Sequence, residues 1–435
     1  MTTFSVIEYI LINLACLILG EDKTSFEKRI ELAKASKTKL KEIVKGIKDP
    51  DDRALALMAY QQILEAREGI IHTPCLLDWC SSGASILSAI MRDKQGMISC
   101  GVLEKDGTPS KKPGNLYQLF TDTLNSFGYS FTKLMVKLVS IPFYYGGDKN
   151  VSDLFNGDEK GIAAYHAMYS ACLPGAYAFR QAALDAWDSN AASYSFMVPD
   201  GYEIEVPVLG DSSKQHICFY YPAKDDEGKL VIVKGNCDVS FKVQEARAKI
   251  VTRYGKAFRN SHTKGLGAHM IHALDAYILR EIVRMSKLTR AEAEWLMQFL
   301  RPSVAINMDL YPVEMQHCIT AYEQMGIPSV RILHLLKVKE CEGVWDIPVD
   351  MYEDLKELIT YLPREVYDIV HIHDEFGALP QHLNHLRQSA NVIYANLYRG
   401  NMAAYYSSVF GMKLQADEYS DELYNTLLNV DYLLS

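Results

Sequence analysis

The sequence has no CxxC pair, no internal repeat, no low-complexity tract and no apolar run long enough to cross a bilayer. Its nine cysteines are an odd number and suit neither a disulfide framework nor a zinc site. They read as reduced thiols of an intracellular protein. The opening MTTFSVIEYILINLACLILGE is apolar, but it lacks a basic leader and a small-residue cleavage site, and Glu8 and Asn13 interrupt it. It falls short of the ~18 residues a spanning helix needs. The expectation is therefore no signal peptide and no membrane partner. The segment reads as a helix buried in the fold or packed on a partner chain.

What is present is a folded chain. Its 435 residues are 49% hydrophobic and 23% charged, enough for a sizeable core and two or three domains. A net charge of −9 argues weakly against nucleic acid as a partner of the whole surface. Basic residues are nonetheless clustered. Lys34, Lys37, Lys39, Lys41 and Lys45 fall within 23–48, and RYGKAFRNSHTK spans 253–264. Each cluster is either a local polyanion site or a solvated face.

Residues 1–70 carry helical apolar spacing, as at Ile30, Leu40, Val44 and Ile47. HTPCLLDW, at 72–79, reads as a buried strand that ends in an acid, followed by a small-residue turn and a helix. Residues 101–130 are interrupted by glycine and proline, whereas 130–145 and 150–192 read as helical. Residues 193–243 alternate like strands, and 285–362 are mixed. EVYDIVHIHDEFGALP reads as a hairpin with a strand over 366–373, Asp374 and Glu375 at the tip, and a return from Phe376.

Asp78 and Asp374 thus share a layout: each ends an apolar strand and precedes a tight turn. Side by side they would repel, and a hard divalent cation such as Mg²⁺ would relieve that repulsion. Pattern alone leaves open whether they meet or are unrelated turn residues. Lys133, Lys137, Ile141 and Tyr145 recur every four residues along one helical face. Two such cations can hold a triphosphate and the aromatic can stack on a base or gate a sugar, though a solvated surface looks the same.

Taken in order, these segments resemble the single-subunit DNA-directed RNA polymerases of phage and mitochondrial type. LLDWCSSGASILSAIMRD is similar to the family's first palm motif at Asp78, Ser82, Gly83, Ser88, Ala89, Arg92 and Asp93. The Lys133–Lys137–Tyr145–Gly146 segment resembles the fingers motif, whose lysine precedes a Tyr-Gly by eight residues. HDEFG resembles the third motif, normally His-Asp-Ser-Phe-Gly. PDGYEIEV, MIHALDAYILREIV and the ending DYLLS resemble further family segments. The likeness covers roughly 70–435 and is poor over 285–362.

The resemblance implies a mostly helical α+β fold, a right-hand palm and fingers with a small antiparallel palm sheet and without the N-terminal and thumb part. Residues 1–70 would be a helical segment that docks a partner, and 71–100 the palm with the first metal motif. Fingers would follow at 101–192, and palm and fingers with a β segment at 193–284. A variable insertion would occupy 285–362, and 363–435 the palm with the second metal motif and the tail. The implied activity is DNA-templated RNA synthesis. Asp78 and Asp374 would hold two Mg²⁺ ions, with the Trp79 carbonyl as a further ligand. Lys137 would meet the triphosphate and give a proton to departing pyrophosphate. Lys133 would assist, a point charge where the family has an arginine fork. Tyr145 and Gly146 would sit at the sugar and base of the incoming NTP, and His373 would orient its neighbours. Tyr277 would stand in for a family histidine whose place falls on Ile278. Gly83 leaves room for a 2′-hydroxyl where related DNA polymerases carry a glutamate, although Glu375 matches the His-Asp-Glu of those enzymes. Pro142 would kink the fingers helix.

Family members place several hundred residues before the first motif, including an Asp/Thr-x-x-Gly-Arg motif that contacts the hybrid. None is found here. The expectation is the large catalytic subunit of a heterodimeric phage RNA polymerase, docked through the apolar helix at 4–19. Its partners would be a smaller second subunit, DNA template, nascent RNA, and a single-stranded-DNA-binding or activator protein, all in the host cytoplasm. The alternatives are a DNA polymerase of the related family and a catalytically inert nucleic-acid-binding assembly subunit.

Overall fold

The computed structural model describes residues 1–188, 191, 193–210, 217–224, 230–237, 258–259, 265–338, 343–372 and 374–435. It is mostly helical with small sheets, as expected for the α+β class. His373 and most of the basic stretch 253–264 lie outside the described residues. The chain divides into two compact units, one of 1–186, 196–204 and 265–435, the other of 187–195 and 205–264.

The first unit opens with α1 (Val6–Leu19), α2 (Phe26–Ser36), α3 (Leu40–Gly46) and α4 (Pro50–Glu68). Local chemistry sets their ends. Ser5 and Glu8 form a reciprocal capping box on α1, and Gly20 closes it at φ 71°. Asp49 caps α4, with Pro50 at its first position. Tyr9, Ile12, Leu14 and Ala15 of α1 are fully buried against α2, α4 and β1 (Cys75–Asp78). Leu14, Ala15 and Ile18 join Ala33, Leu40, Val44, Ala56 and Ala59 in one apolar cluster. The surface expected to dock a second chain is therefore already covered by this one. Burying each large apolar side chain is worth about 1.5–3 kcal/mol, so this packing holds the helix to its own chain, although Ile7 stays exposed. Arg387, itself buried, donates to the Thr2 carbonyl, the Tyr9 hydroxyl and Asp431, which ties the first residues to the last.

Beyond β1 come α5 (Ser82–Ile90), α6 (Lys94–Cys100), α7 (Leu116–Ser126), α8 (Lys133–Tyr144), α9 (Lys149–Leu154), α10 (Glu159–Cys172) and α11 (Pro174–Asp185). Helix α7 lies inside the stretch read as interrupted. Asn115 caps it, and Leu116, Phe120 and Leu124 make its buried stripe. Helix α8 runs through Pro142 and stops two residues later. The Pro142 carbonyl accepts from the Tyr145 and Gly147 amides, closing the helix end. Arg92 and Asp93 show why the first motif ends as it does. Arg92 adopts φ 54° and donates to the Tyr398, Arg399 and Gly400 carbonyls. Asp93 accepts from the amides of Gly96 and Gly175, both at 2.8 Å.

Among the described residues of the stretch 193–243, strands occur as the alternation predicts: β2 (Ser193–Met197), β3 (Glu203–Pro207), β4 (Leu209–Gly210), β5 (Ile217–Lys224) and β6 (Leu230–Cys237), with β7 (Phe258–Arg259) beyond. Within the second unit, β5 and β6 form an antiparallel hairpin and β4 pairs with β7.

The first unit resumes with α12 (Leu266–Ser286), α13 (Arg290–Leu296), β8 (Leu300–Ser303), α14 (Val313–Met325), α15 (Arg331–Lys337), β9 (Trp345–Pro348) and α16 (Val349–Ile359). Strands β8 and β9 are parallel, an arrangement the expected palm sheet does not include. β10 (Val370–Ile372), β11 (Glu375–Ala378), α17 (Leu383–Arg399), α18 (Met402–Phe410) and α19 (Asp421–Leu427) complete it. Helix α17 is buried along most of its length between α5, α12 and α19. No helix among the described residues is long and apolar enough to cross a membrane.

Candidate active site

Strands β1, β11 and β10 form one antiparallel sheet in that spatial order. Asp78 pairs with Glu375, and Glu375 with Ile372. The hairpin is thus tighter than expected: its first strand begins at Val370 and Glu375 already belongs to the return strand. The preceding chain is drawn off the sheet because the Tyr367 amide donates to the Ser286 carbonyl and the Tyr367 ring stacks on His382. Asp374 occupies the turn. Its carbonyl accepts from the Trp79 amide at 3.0 Å, which sets it beside the end of β1. Ser82 Oγ donates to Asp374 Oδ2 at 3.0 Å, so the small-residue turn orients the second acid. Asp78 exchanges hydrogen bonds with Ser435 on its other side.

Asp78 keeps an open side to the cleft. The protein around its other sides, with Asp374 nearby, pushes its carboxyl up to about 7. Asp275, on α12, is also pushed up to about 7 by burial and by Asp374. Glu375 is raised by the same two causes. These carboxyls repel one another around Asp374.

A cavity of about 430 Å³ opens beside Asp78 and Asp374, lined by Lys133, Lys137, Tyr145 and Gly83. Sequence spacing thus places the lysines and the tyrosine where the acids are. Lys137 Nζ lies 5.8 Å from the Tyr117 ring centroid. Lys23, from the basic run after α1, lines the same cavity. A side chain at position 83 would start 3.8 Å from Tyr145 Oη, so glycine leaves that space clear. Gly146 does not line the cavity; it turns the chain out of α8 at φ 94°.

A second cavity, of about 360 Å³, shares Trp79, Ser82, Tyr145 and Asp374 with the first. His272 and Asp275 line it, and the Tyr145 and His272 rings are 4.8 Å apart. Tyr277, expected at the sugar, is elsewhere. It is fully buried near Glu281 and Asp200, because it lies two residues past Asp275 and so about 200° around the helix. His272, Asp275 and Leu279 repeat at helical spacing and face the cavity, a phase the sequence carries.

The Pro-Asp-Gly segment serves the same helix from outside the cleft. Asp200 is fully buried and takes Arg280 through two contacts, at 2.7 and 2.9 Å, and Arg284 at 2.7 Å. Arg331 donates to its carbonyl at 2.7 Å. Tyr202 lies against all three guanidinium groups.

No cluster of three or more metal-ligating side chains occurs among the described residues. The six cysteines described there with their side chains are free. A scan against protein-family models finds no match, and neither does a search of curated proteins.

Proposed function

We propose that the chain is the catalytic large subunit of a split phage-type DNA-directed RNA polymerase, with palm and fingers built around this cleft. The observation that carries the reading is the pairing of β1 with β11, which puts Asp78 and Asp374 at one end of a sheet beside Lys137 and Tyr145. Two carboxylates held together, with one pushed up to about 7, suit hard cations. Trp79 adds an oxygen. Its amide points to Asp374, and strand geometry turns its carbonyl to the same side. Two bound Mg²⁺ ions would stabilise the attacking and leaving oxygens of an in-line nucleotidyl transfer.

The chain's own groups do the rest. Lys133 and Lys137 neutralise the triphosphate, and Lys137 gives a proton to pyrophosphate as it leaves. Lys23 adds a third cation to that wall. Tyr145 bounds the sugar, and Gly83 leaves its 2′-hydroxyl room. Template DNA and nascent RNA are the macromolecular partners. In this reading a smaller second subunit supplies the hybrid contacts that the family makes through its Asp/Thr-x-x-Gly-Arg motif.

The test is extension of a primed template with Mg²⁺, offering NTPs and dNTPs separately, with and without a candidate second subunit. RNA synthesis that both Asp78→Asn and Asp374→Asn abolish is the expected result. A strong preference for dNTPs would move the assignment to a DNA polymerase, the reading that the His-Asp-Glu spelling at Glu375 favours. Persistent synthesis in both variants would refute the metal site. Failure of Mn²⁺ to bind wild type any better than Asp374→Asn would favour an inert nucleic-acid-binding subunit.

A further inference from the structure

The two cavities differ in chemistry although they meet at Asp374. The first is lined by lysines and suits polyphosphate. The second has none: its polar groups beyond the shared ones are His272 and Asp275, set against Ile86, Leu279 and Phe376. Asp275 is half-buried at the cavity wall, and no hydrogen-bond donor or cation among the described residues is paired with its carboxylate. An ionised carboxylate only accepts, and drawing one partly out of water without a donor carries a cost that a donor in the cavity would offset. A ligand that fits would bring hydroxyl donors together with an apolar face, which describes a ribose. With the incoming polyphosphate drawn to the lysines, the space across Asp374 is left to the strand that attacks.

We propose that Asp275 accepts a hydrogen bond from the 2′-hydroxyl of the last nucleotide of the strand being extended, so that the protein favours an RNA end over a DNA end. The proposal rests on the polymerase reading and adds a specificity residue to it, distinct from the two acids assigned to metal.

The experiment compares two primer–template duplexes that differ only by a ribose or a deoxyribose at the primer's last nucleotide. Single-nucleotide extension gives kcat/KM for the primer, and fluorescence anisotropy gives duplex affinity. Wild type, Asp275→Ala and Asp275→Asn are measured, with circular dichroism to check folding. Wild type should favour the ribose end by about ten- to a hundredfold, the worth of one hydrogen bond to a charged acceptor. Asp275→Ala should bring the ratio close to one. Asp275→Asn, which keeps an acceptor oxygen and the side-chain shape, should retain part of it, and the KM for the incoming NTP should not change. A ratio near one in wild type, or an undiminished ratio in Asp275→Ala, overturns the proposal. If neither duplex is extended with or without the candidate second subunit, the polymerase reading fails, and the affinity ratio still decides the role of Asp275 by the same two criteria.

Discussion

The middle of α12 and its C-terminal end hold acids in opposite ways. Toward its C-terminus, Arg280 and Arg284 saturate Asp200, and Glu281 takes Ser329 Oγ and the Val330 amide. At the middle of the helix, Asp275 faces Asp374 with no such partners among the described residues, and both Asp275 and Asp78 are raised to about 7. The fold that satisfies one acid completely leaves others in mutual repulsion less than two turns away along the helix. A carboxylate answered from within the chain is architecture. A group of carboxylates left unanswered needs something from outside, and here it borders two cavities.

The largest expected effect lies at the unanswered acids. Asp374→Asn and Asp78→Asn should each lower nucleotidyl transfer by at least about a thousandfold, since each removes metal-borne charge stabilisation worth several kcal/mol. Neither should lower the melting temperature, because neither carboxylate pairs with a cation inside the fold. Single-turnover extension and a thermal melt on the same preparations check both halves. A melt that falls steeply would place these acids with Asp200 as architecture.

At the answered end the signs reverse. Asp200→Ala removes the only acid paired with Arg280 among the described residues and leaves Arg284 with Glu281 alone, which costs about 3–5 kcal/mol of stability. Urea denaturation at fixed pH measures it. Any fall in activity should track the fraction unfolded, since Asp200 does not line either cavity. A loss below about 1 kcal/mol would mean that the arginines find other partners, and the contrast between the two regions would weaken.

The difference between these two regions also decides what could be read from sequence. Asp78 and Asp374 were legible as strand-end acids, and Lys133, Lys137 and Tyr145 as one helical face, because period two and period four are local properties. That the two strands are neighbours is a long-range fact with no local signal; only the resemblance suggested it. The burial of α1 was half legible. Apolar spacing shows that a face must be covered, not whether the cover is another chain or the chain's own α2 and α4. Tyr277 was misplaced through proximity to Ile278, where helical phase would have chosen His272 and Asp275. Composition cannot count turn residues, so the sequence puts Glu375 at the tip, whereas its backbone pairing with Ile372 puts it in the return strand.

The smallest effect is a pH dependence at the cleft acids that needs no assay of function. Asp78 and Asp275 have folded pKa values near 7, above the unfolded value near 4. Below about pH 4 both states hold these protons, and the groups are neutral in effect. Between about 4 and 7 the folded state holds protons that the unfolded state has released, so stability falls as pH rises. Above about 7 the penalty is complete. Asp78→Asn should therefore stabilise the metal-free protein at pH 8 but not at pH 4. The open side of Asp78 screens the repulsion, which holds the gain to on the order of 1 kcal/mol. Mg²⁺ at pH 8 should stabilise wild type more than Asp78→Asn, by relieving the repulsion that the substitution has already removed. Thermal melts at the two pH values, with and without Mg²⁺, check both statements. A stabilisation equal at pH 4 and pH 8 would show that the gain comes from packing rather than charge, and the acids of the cleft would then carry no stored repulsion for a cation to relieve.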